Sequence, residues 1–145
     1  MTNRSGNAAD STARKLSTHE EHALVYAAVI DSALDSVVVV DEKGVVVSIN
    51  PAAEATFGYA REEAVGREIS DLIVPDHLKA AHDSGMARYR ATSAPRVLGR
   101  RVEMDARRKD GSIIPVELAI TEVNLPSGRP FTANLSDPPA ARAAA

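Results

Sequence analysis

The stretch Gly99–Val123, GRRVEMDARRKDGSIIPVELAITEV, holds two runs of extended-type sequence joined by Lys109-Asp110-Gly111-Ser112. Asp-Gly between such runs is a strong short-range signal for a tight hairpin turn. Before the turn, Val102, Met104 and Ala106 alternate with Arg101, Glu103, Asp105 and Arg107; after it, Ile114, Val116, Leu118 and Ile120 alternate with Pro115, Glu117, Ala119 and Thr121. A period of two sends one apolar row to one face and the charges to the other, which predicts a half-buried antiparallel pair. The apolar row needs a cover, made of protein alone or of protein and a ligand.

Composition sets the limits. The chain has 145 residues, 44% of them hydrophobic and 26% charged, which suits one globular domain with a real core. A net charge of -3 gives no electrostatic reason to expect nucleic acid or an anionic membrane as a partner. Without cysteine there is no disulfide, thiolate nucleophile or thiolate metal site. No apolar run approaches the length of a membrane span, and MTNRSGNAADSTARK lacks a signal-peptide core, so a cytoplasmic location is the default expectation.

Outward from the hairpin, residues 1–16 are polar and aperiodic and read as a disordered leader. Ser17 with Glu20, and Thr18 with Glu21, have capping-box spacing, and Leu24, Val25, Ala28, Val29, Ala33 and Leu34 follow at helical spacing. An amphipathic helix over 17–34 is expected, packed on its own domain or against a second copy. Val37–Val40 and Val45–Ile49, separated by Asp41-Glu42-Lys43-Gly44, form a second hairpin whose near-continuous apolar character predicts strands covered on both faces. Asn50-Pro51 is a helix start, Asn as cap and Pro at the first turn. Short helical turns follow as far as Pro75.

Asp76 to Thr92, DHLKAAHDSGMARYRAT, predicts a long helix with Leu78, Ala81, His82, Gly85, Met86 and Tyr89 on one face. His82 then points inward, and Gly85, one turn on, leaves room for something flat near the helix backbone. A last strand is expected over 130–135, after the turn Leu125-Pro126-Ser127-Gly128. Asp137-Pro138-Pro139 ends regular structure, and residues 138–145 read as a tail. His19 and His22 on the leading helix lack a third ligand, His77 reads as solvent-facing, and Arg100, Arg101, Arg107, Arg108 and Lys109 read as an outer sheet face.

VVVVDEKGVVVSINPAAEATFGYAREEAVGREISDLIVP (Val37–Pro75) and RRKDGSIIPVELAITEV (Arg107–Val123) together resemble a PAS domain. The resemblance implies an α+β PAS fold over 35–137: a five-stranded antiparallel sheet, order 2-1-5-4-3, with helices on one face and a ligand-sized pocket between them. Pro75–Gly111 is most similar to haem-binding oxygen sensors of the FixL type. That similarity implies haem b as cofactor, His82 as the iron ligand, and a diatomic gas as the signal. It also implies Arg88, or Arg96, as partner of a haem propionate, Met86 and Tyr89 lining the proximal side, and Val97, Leu98, Leu118 and Ile120 above the distal face. Where those sensors carry an oxygen-answering arginine on the strand after Gly99, this chain has Val102, which favours carbon monoxide or nitric oxide over oxygen. For His82 the alternative is a helix histidine hydrogen-bonded within the fold.

Flavin and p-coumarate photoreceptors of the superfamily use a cysteine, and its flavin redox sensors commonly a tryptophan; this chain has neither. No P-loop, kinase motif or nucleophile–base pair stands out, so an enzyme is not expected. Two functions remain: a haem-bearing gas sensor, and a cofactor-free or other small-ligand module for dimerisation and signal relay. Either implies a homodimer through the leading helix and an effector domain or partner outside this chain.

Overall fold

A computed structural model describes residues 15–92 and 99–139. The chain divides between Ile30 and Asp31 into two units. The first carries most of helix α1 (Thr18–Ser32), whose start is capped where the Ser17 hydroxyl accepts the Glu20 N–H at 3.1 Å. Leu24, Val25, Tyr26 and Val29 are all exposed on it, and no residue of the helix is buried.

The second unit is an α+β domain. Strands β1 (Ser36–Val40), β2 (Val46–Ile49), β3 (Arg101–Arg107), β4 (Ile113–Glu122) and β5 (Phe131–Ser136) form one antiparallel sheet in the order β2-β1-β5-β4-β3. Helices α2 (Pro51–Phe57), α3 (Arg61–Ala64), α4 (Ile69–Leu72) and α5 (Asp76–Thr92) lie between β2 and β3 in sequence. Element order and sheet topology are as the PAS resemblance implies, and the preceding helix is where the capping-box spacing placed it.

The alternation in 99–123 sets the register. Val102 pairs with Leu118, Met104 with Val116 and Ala106 with Ile114, and the Arg108–Ser112 turn closes with the Gly111 N–H on the Arg108 carbonyl. Gly111 has φ 90°, which only glycine adopts without strain. The same row runs across the sheet, Leu118 to Leu135 and Ile120 to Ala133 to Val38. It packs with Phe57, Tyr59, Ile69, Leu72 and Tyr89 into a single core.

The expectation that both strands of the first hairpin are covered on both faces holds for β1 and fails for β2. β1 lies between β2 and β5, whereas β2 is an edge strand with Val47 exposed. A continuous β-branched run reports strand propensity, and position in the sheet decides the covering. The β2 edge is not bare: the Val46 N–H donates to Arg67 O, the Gly66 N–H donates to Val46 O, and the Ile69 N–H donates to Gly44 O. A short loop thus occupies the edge that would otherwise template aggregation.

Asn50 joins the hairpin to the helical layer. Its Oδ1 accepts from Ala53 N–H (3.0 Å), capping α2, and from Val37 N–H (2.9 Å), while its Nδ2 donates to Asp35 O (3.0 Å). The residue is buried. Asn50→Ala strands buried donors on Val37 and Ala53 together, at about 1–3 kcal/mol for each unsatisfied group. A loss of about 3 kcal/mol in a urea titration is therefore expected. A loss below about 1 kcal/mol would mean the cap is dispensable.

Candidate functional site

Helix α5 begins after the buried Pro75 and presents His82, Gly85 and Met86 half-buried, with Tyr89 fully buried. His82 and Met86 line a cleft of about 210 Å³ together with Lys43 and Gly44 from the β1–β2 turn, Glu68, Ile69 and Ser70 around α4, and Asp83 and Arg90. His82 Nδ1 lies 3.3 Å from Asp83 Oδ1, and its side chain is 30% exposed. The cleft is therefore a polar rim feature. Behind it, among Val38, Ile49, Phe57, Tyr59 and Leu72, the core leaves only about 10 Å³.

Placement of the other expected site residues divides them. Arg88 is exposed on α5. Leu118 and Ile120 are partly buried against the core, on the sheet face, and do not line the His82 cleft. Arg96, Val97 and Leu98 lie outside the described residues. Val102 faces the helices opposite Leu118, while Arg101 faces the other way and pairs with Glu117 at 3.3 Å.

Tyr89 does not line the cleft either. Its ring meets Phe131 edge-on at 4.9 Å and lies beneath the Arg129 guanidinium at 5.4 Å. Burial first, and then the nearby Glu122 carboxylate, hold the phenol above its ordinary 10.0, so it stays protonated. Glu122 continues the inward row at the end of β4, opposite Phe131. Its Oε1 is buried without a hydrogen-bond partner among the described residues, and Arg129 Nε approaches it only to 3.7 Å. Such an oxygen costs on the order of 1–3 kcal/mol. Arg129 also places its backbone N–H on Glu42 Oε1 at 2.6 Å.

Sequence reasoning missed this cluster, because a glutamate at a strand end and an arginine after a turn carry no periodic signal. It also placed Arg107 and Lys109 on the outer sheet face. Instead Arg107 donates to Asp76 Oδ1 (2.8 Å) and Asp71 O (2.7 Å), and Lys109 donates to Glu63 Oε2 (2.6 Å). At the end of β3 the two-residue alternation stops, and long side chains reach round to the helical layer.

A haem held through His82 can be tested against this geometry. The donor fits: a carboxylate beside one imidazole nitrogen orients the ring and leaves the other for a metal. The room does not fit as packed, since a cleft of about 210 Å³ is smaller than the roughly 300–1,000 Å³ of ligand pockets, and the core behind it is filled. No group of three or more His, Asp or Glu that could hold a bare metal ion occurs among the described residues.

Residues 25–137 match the family model for the PAS fold. The chain belongs to the PAS family. It is 31% identical over 116 residues to sensor protein FixL of Bradyrhizobium diazoefficiens, a match covering 80% of this chain and 22% of FixL. Against oxygen sensor protein DosP of Escherichia coli it is 37% identical over 87 residues, 60% of this chain and 11% of DosP. The PAS domain of an HTR-like protein from Haloarcula marismortui superposes with a TM-score of 0.64 at 22% identity, covering 83% of this chain and 94% of that one. The chain thus spans about a fifth or less of the curated relatives named here. It is a sensory PAS domain of the kind found in signalling proteins.

Away from the cleft lining, hydrogen bonds hold three carboxyls below their ordinary values: Glu63 through Lys109, Asp71 through Lys79, and Asp110 through Ser112. An acid that binds its proton less tightly when folded stabilises the fold above its unfolded value and loses that contribution as pH falls through the lowered one. Stability linked to these groups is therefore complete above 4.5 and declines below it. Urea midpoints measured across that range should fall with acid, and Lys109→Ala should flatten the part due to Glu63. An unchanged pH profile in that variant would remove Glu63 from the account.

Proposed function

We propose that this chain is the sensory input module of a larger signalling protein, with His82 as the ligand of haem b and a diatomic gas as the signal. The observation that carries the reading is the position of His82: half-buried, in the middle of α5, in a cleft, with a carboxylate beside Nδ1 and a glycine one turn on. Matches to FixL and to the oxygen sensor DosP support it. Haem would supply an iron that binds the gas; the chain's own part is to hold that group and to move when it changes. Because the cleft is smaller than a porphyrin needs, binding requires α5 to lift from the sheet. Val102, inward-facing and apolar, gives a bound gas no charged donor at that position, so carbon monoxide or nitric oxide is favoured over oxygen.

A second reading, a module without haem that dimerises and relays a signal, is supported by the filled core. In both readings the chain acts by binding rather than by catalysis, in the cytoplasm, and its effector lies outside it. No helix among the described residues is long and apolar enough to cross a membrane.

Haem titration of the purified chain separates the two readings. The expected result is a histidine-ligated iron spectrum in the parent that is lost or changed in His82→Ala. A parent that takes up no haem, or a variant with the same spectrum, leaves the second reading in place.

The homodimer is proposed through α1, whose Leu24, Val25 and Val29 are each more than half exposed. Removing residues 1–34 should halve the mass seen in sedimentation. An unchanged mass state would place the dimer contact elsewhere.

A further inference from the structure

The cleft beside His82 is charged around its mouth and lined by small or apolar residues at its bottom. Gly44, Ile69 and Ser70 of its lining are buried, whereas Lys43, Glu68, Asp83 and Arg90 are exposed around them. His82, Met86 and Arg90 follow one another at intervals of four on α5 and so form one stripe along the cleft. Asp83 and Arg90, seven residues apart, stand two turns from each other on the same side of the helix, about 10 Å along its axis.

These charges are sorted along the cleft. Arg90 Nη1 donates to Glu42 O at 3.2 Å, which ties its guanidinium to the β1–β2 turn next to Lys43 and brings both cations of the lining to one end. That carbonyl takes one donor of a five-donor fork, so it fixes the group while leaving N–H groups to receive an anion. At the other end Asp83 Oδ1 lies 3.3 Å from His82 Nδ1, which holds a carboxylate beside the ring. Between the ends the turn meets α5 at Gly44, where a Cβ would stand 3.5 Å from Met86 Cε and 3.9 Å from Ile69 Cγ2. The middle of the cleft is therefore thioether and aliphatic. Glu68, bridged to the turn through Val45, adds a second carboxylate to the wall.

A lining of one sign would gather a simple ion, but this one carries two cations and two carboxylates, with the cations together. Such an arrangement orients a guest that bears both signs and rejects one that bears only one. We infer that the cleft, as packed, binds a small zwitterion whose carboxylate and ammonium are separated by a short aliphatic chain. Its carboxylate meets Arg90 and Lys43, its chain lies over Met86 and Ile69, and its ammonium meets Asp83. The cleft of about 210 Å³ equals about seven waters of liquid, room for an ω-amino acid. This assignment deepens the reading without haem and rests on it, since haem and such a guest would compete for the same space.

Amide NMR of the full chain, prepared without haem and titrated with ε-aminocaproate, tests it. Saturable shifts are expected at residues 43–44, 68–70 and 82–90, with a dissociation constant of about 1 mM or tighter. Caproate, which lacks the ammonium, and hexylamine, which lacks the carboxylate, should each bind on the order of 10-fold more weakly. Asp83→Asn should bring the zwitterion down to the affinity of caproate, and Lys43→Gln should weaken it while leaving hexylamine unchanged. Both residues are exposed, so both variants keep the fold. Equal binding of caproate and ε-aminocaproate would make the cleft a plain anion site and overturn the assignment. Shifts that do not saturate, or that scatter outside the lining, would overturn it too. The haem titration separates the two failures: uptake through His82 defeats the reading without haem, whereas a chain that takes up neither haem nor zwitterion keeps that reading and loses this site.

Discussion

A single buried amide, that of Asn50, sets how the two layers of this domain meet. Its Oδ1 takes the Val37 N–H at the start of β1 and the Ala53 N–H in the first turn of α2. One oxygen therefore fixes both where the sheet begins and the direction in which the chain leaves it. The Asn50 backbone is joined to the same place, its N–H donating to Val37 O at 3.1 Å. From that junction α2 runs over β1 to Phe57, and Gly58, at φ 84°, turns the chain back with its N–H on Glu54 O. Everything from α3 to α5 inherits its position from this corner.

The layer so placed is not equally firm along its length. Near the corner, Ala53, Phe57, Ala64, Ile69 and Leu72 are buried against Val38, Val46 and Ile49, with almost no free volume. Interiors packed to that density transmit displacement rather than absorb it. Farther on, α5 has one fully buried hydrophobic side chain, Tyr89, and partly buried ones around it. Its ion pairs at exposed positions add little holding force. The domain thus joins a densely packed frame to a helix that is mostly exposed along its length and anchored chiefly by Tyr89 and Met86.

Most of the frame was legible in the sequence, and the reason is periodicity. Alternation in 101–107 and 113–120 reports an antiparallel pair whose observed register follows the apolar row, although Met104 of that row is exposed and Glu117 of the charged row is buried. Asn50-Pro51 and Asp110-Gly111 could be read because cap and turn geometries admit few residue types. What could not be read depended on neighbours distant in sequence. That β2 is an edge strand follows from β5 returning to the far side of β1, which its own apolar run does not encode and only the order implied by the PAS resemblance supplied. Tyr89 was expected beside His82 from helical spacing, but the helix turns it toward Phe131 and Glu122, contacts made from the last two strands. Arg107 and Lys109 left the face their parity assigned because flexible stems at a strand end follow carboxylates rather than pleats.

Parity in β3 also limits what chemistry the inner wall can offer. Arg101 precedes Val102, the position where FixL-type sensors carry their gas-answering arginine, and bringing it inward requires β3 to slip by one residue. That slip would carry Met104 and Ala106 off the row they share with Val116 and Ile114, and would remove the guanidinium from Glu117, whose side chain is 9% exposed. The cost of exposing one apolar row and leaving a buried carboxylate without that cation exceeds what one new hydrogen bond returns. Val102 therefore stays inward, and this part of the wall stays apolar. The polar groups nearest this wall are then the His82 rim and the Arg129 guanidinium, set between the Tyr89 ring and the Glu122 carboxylate.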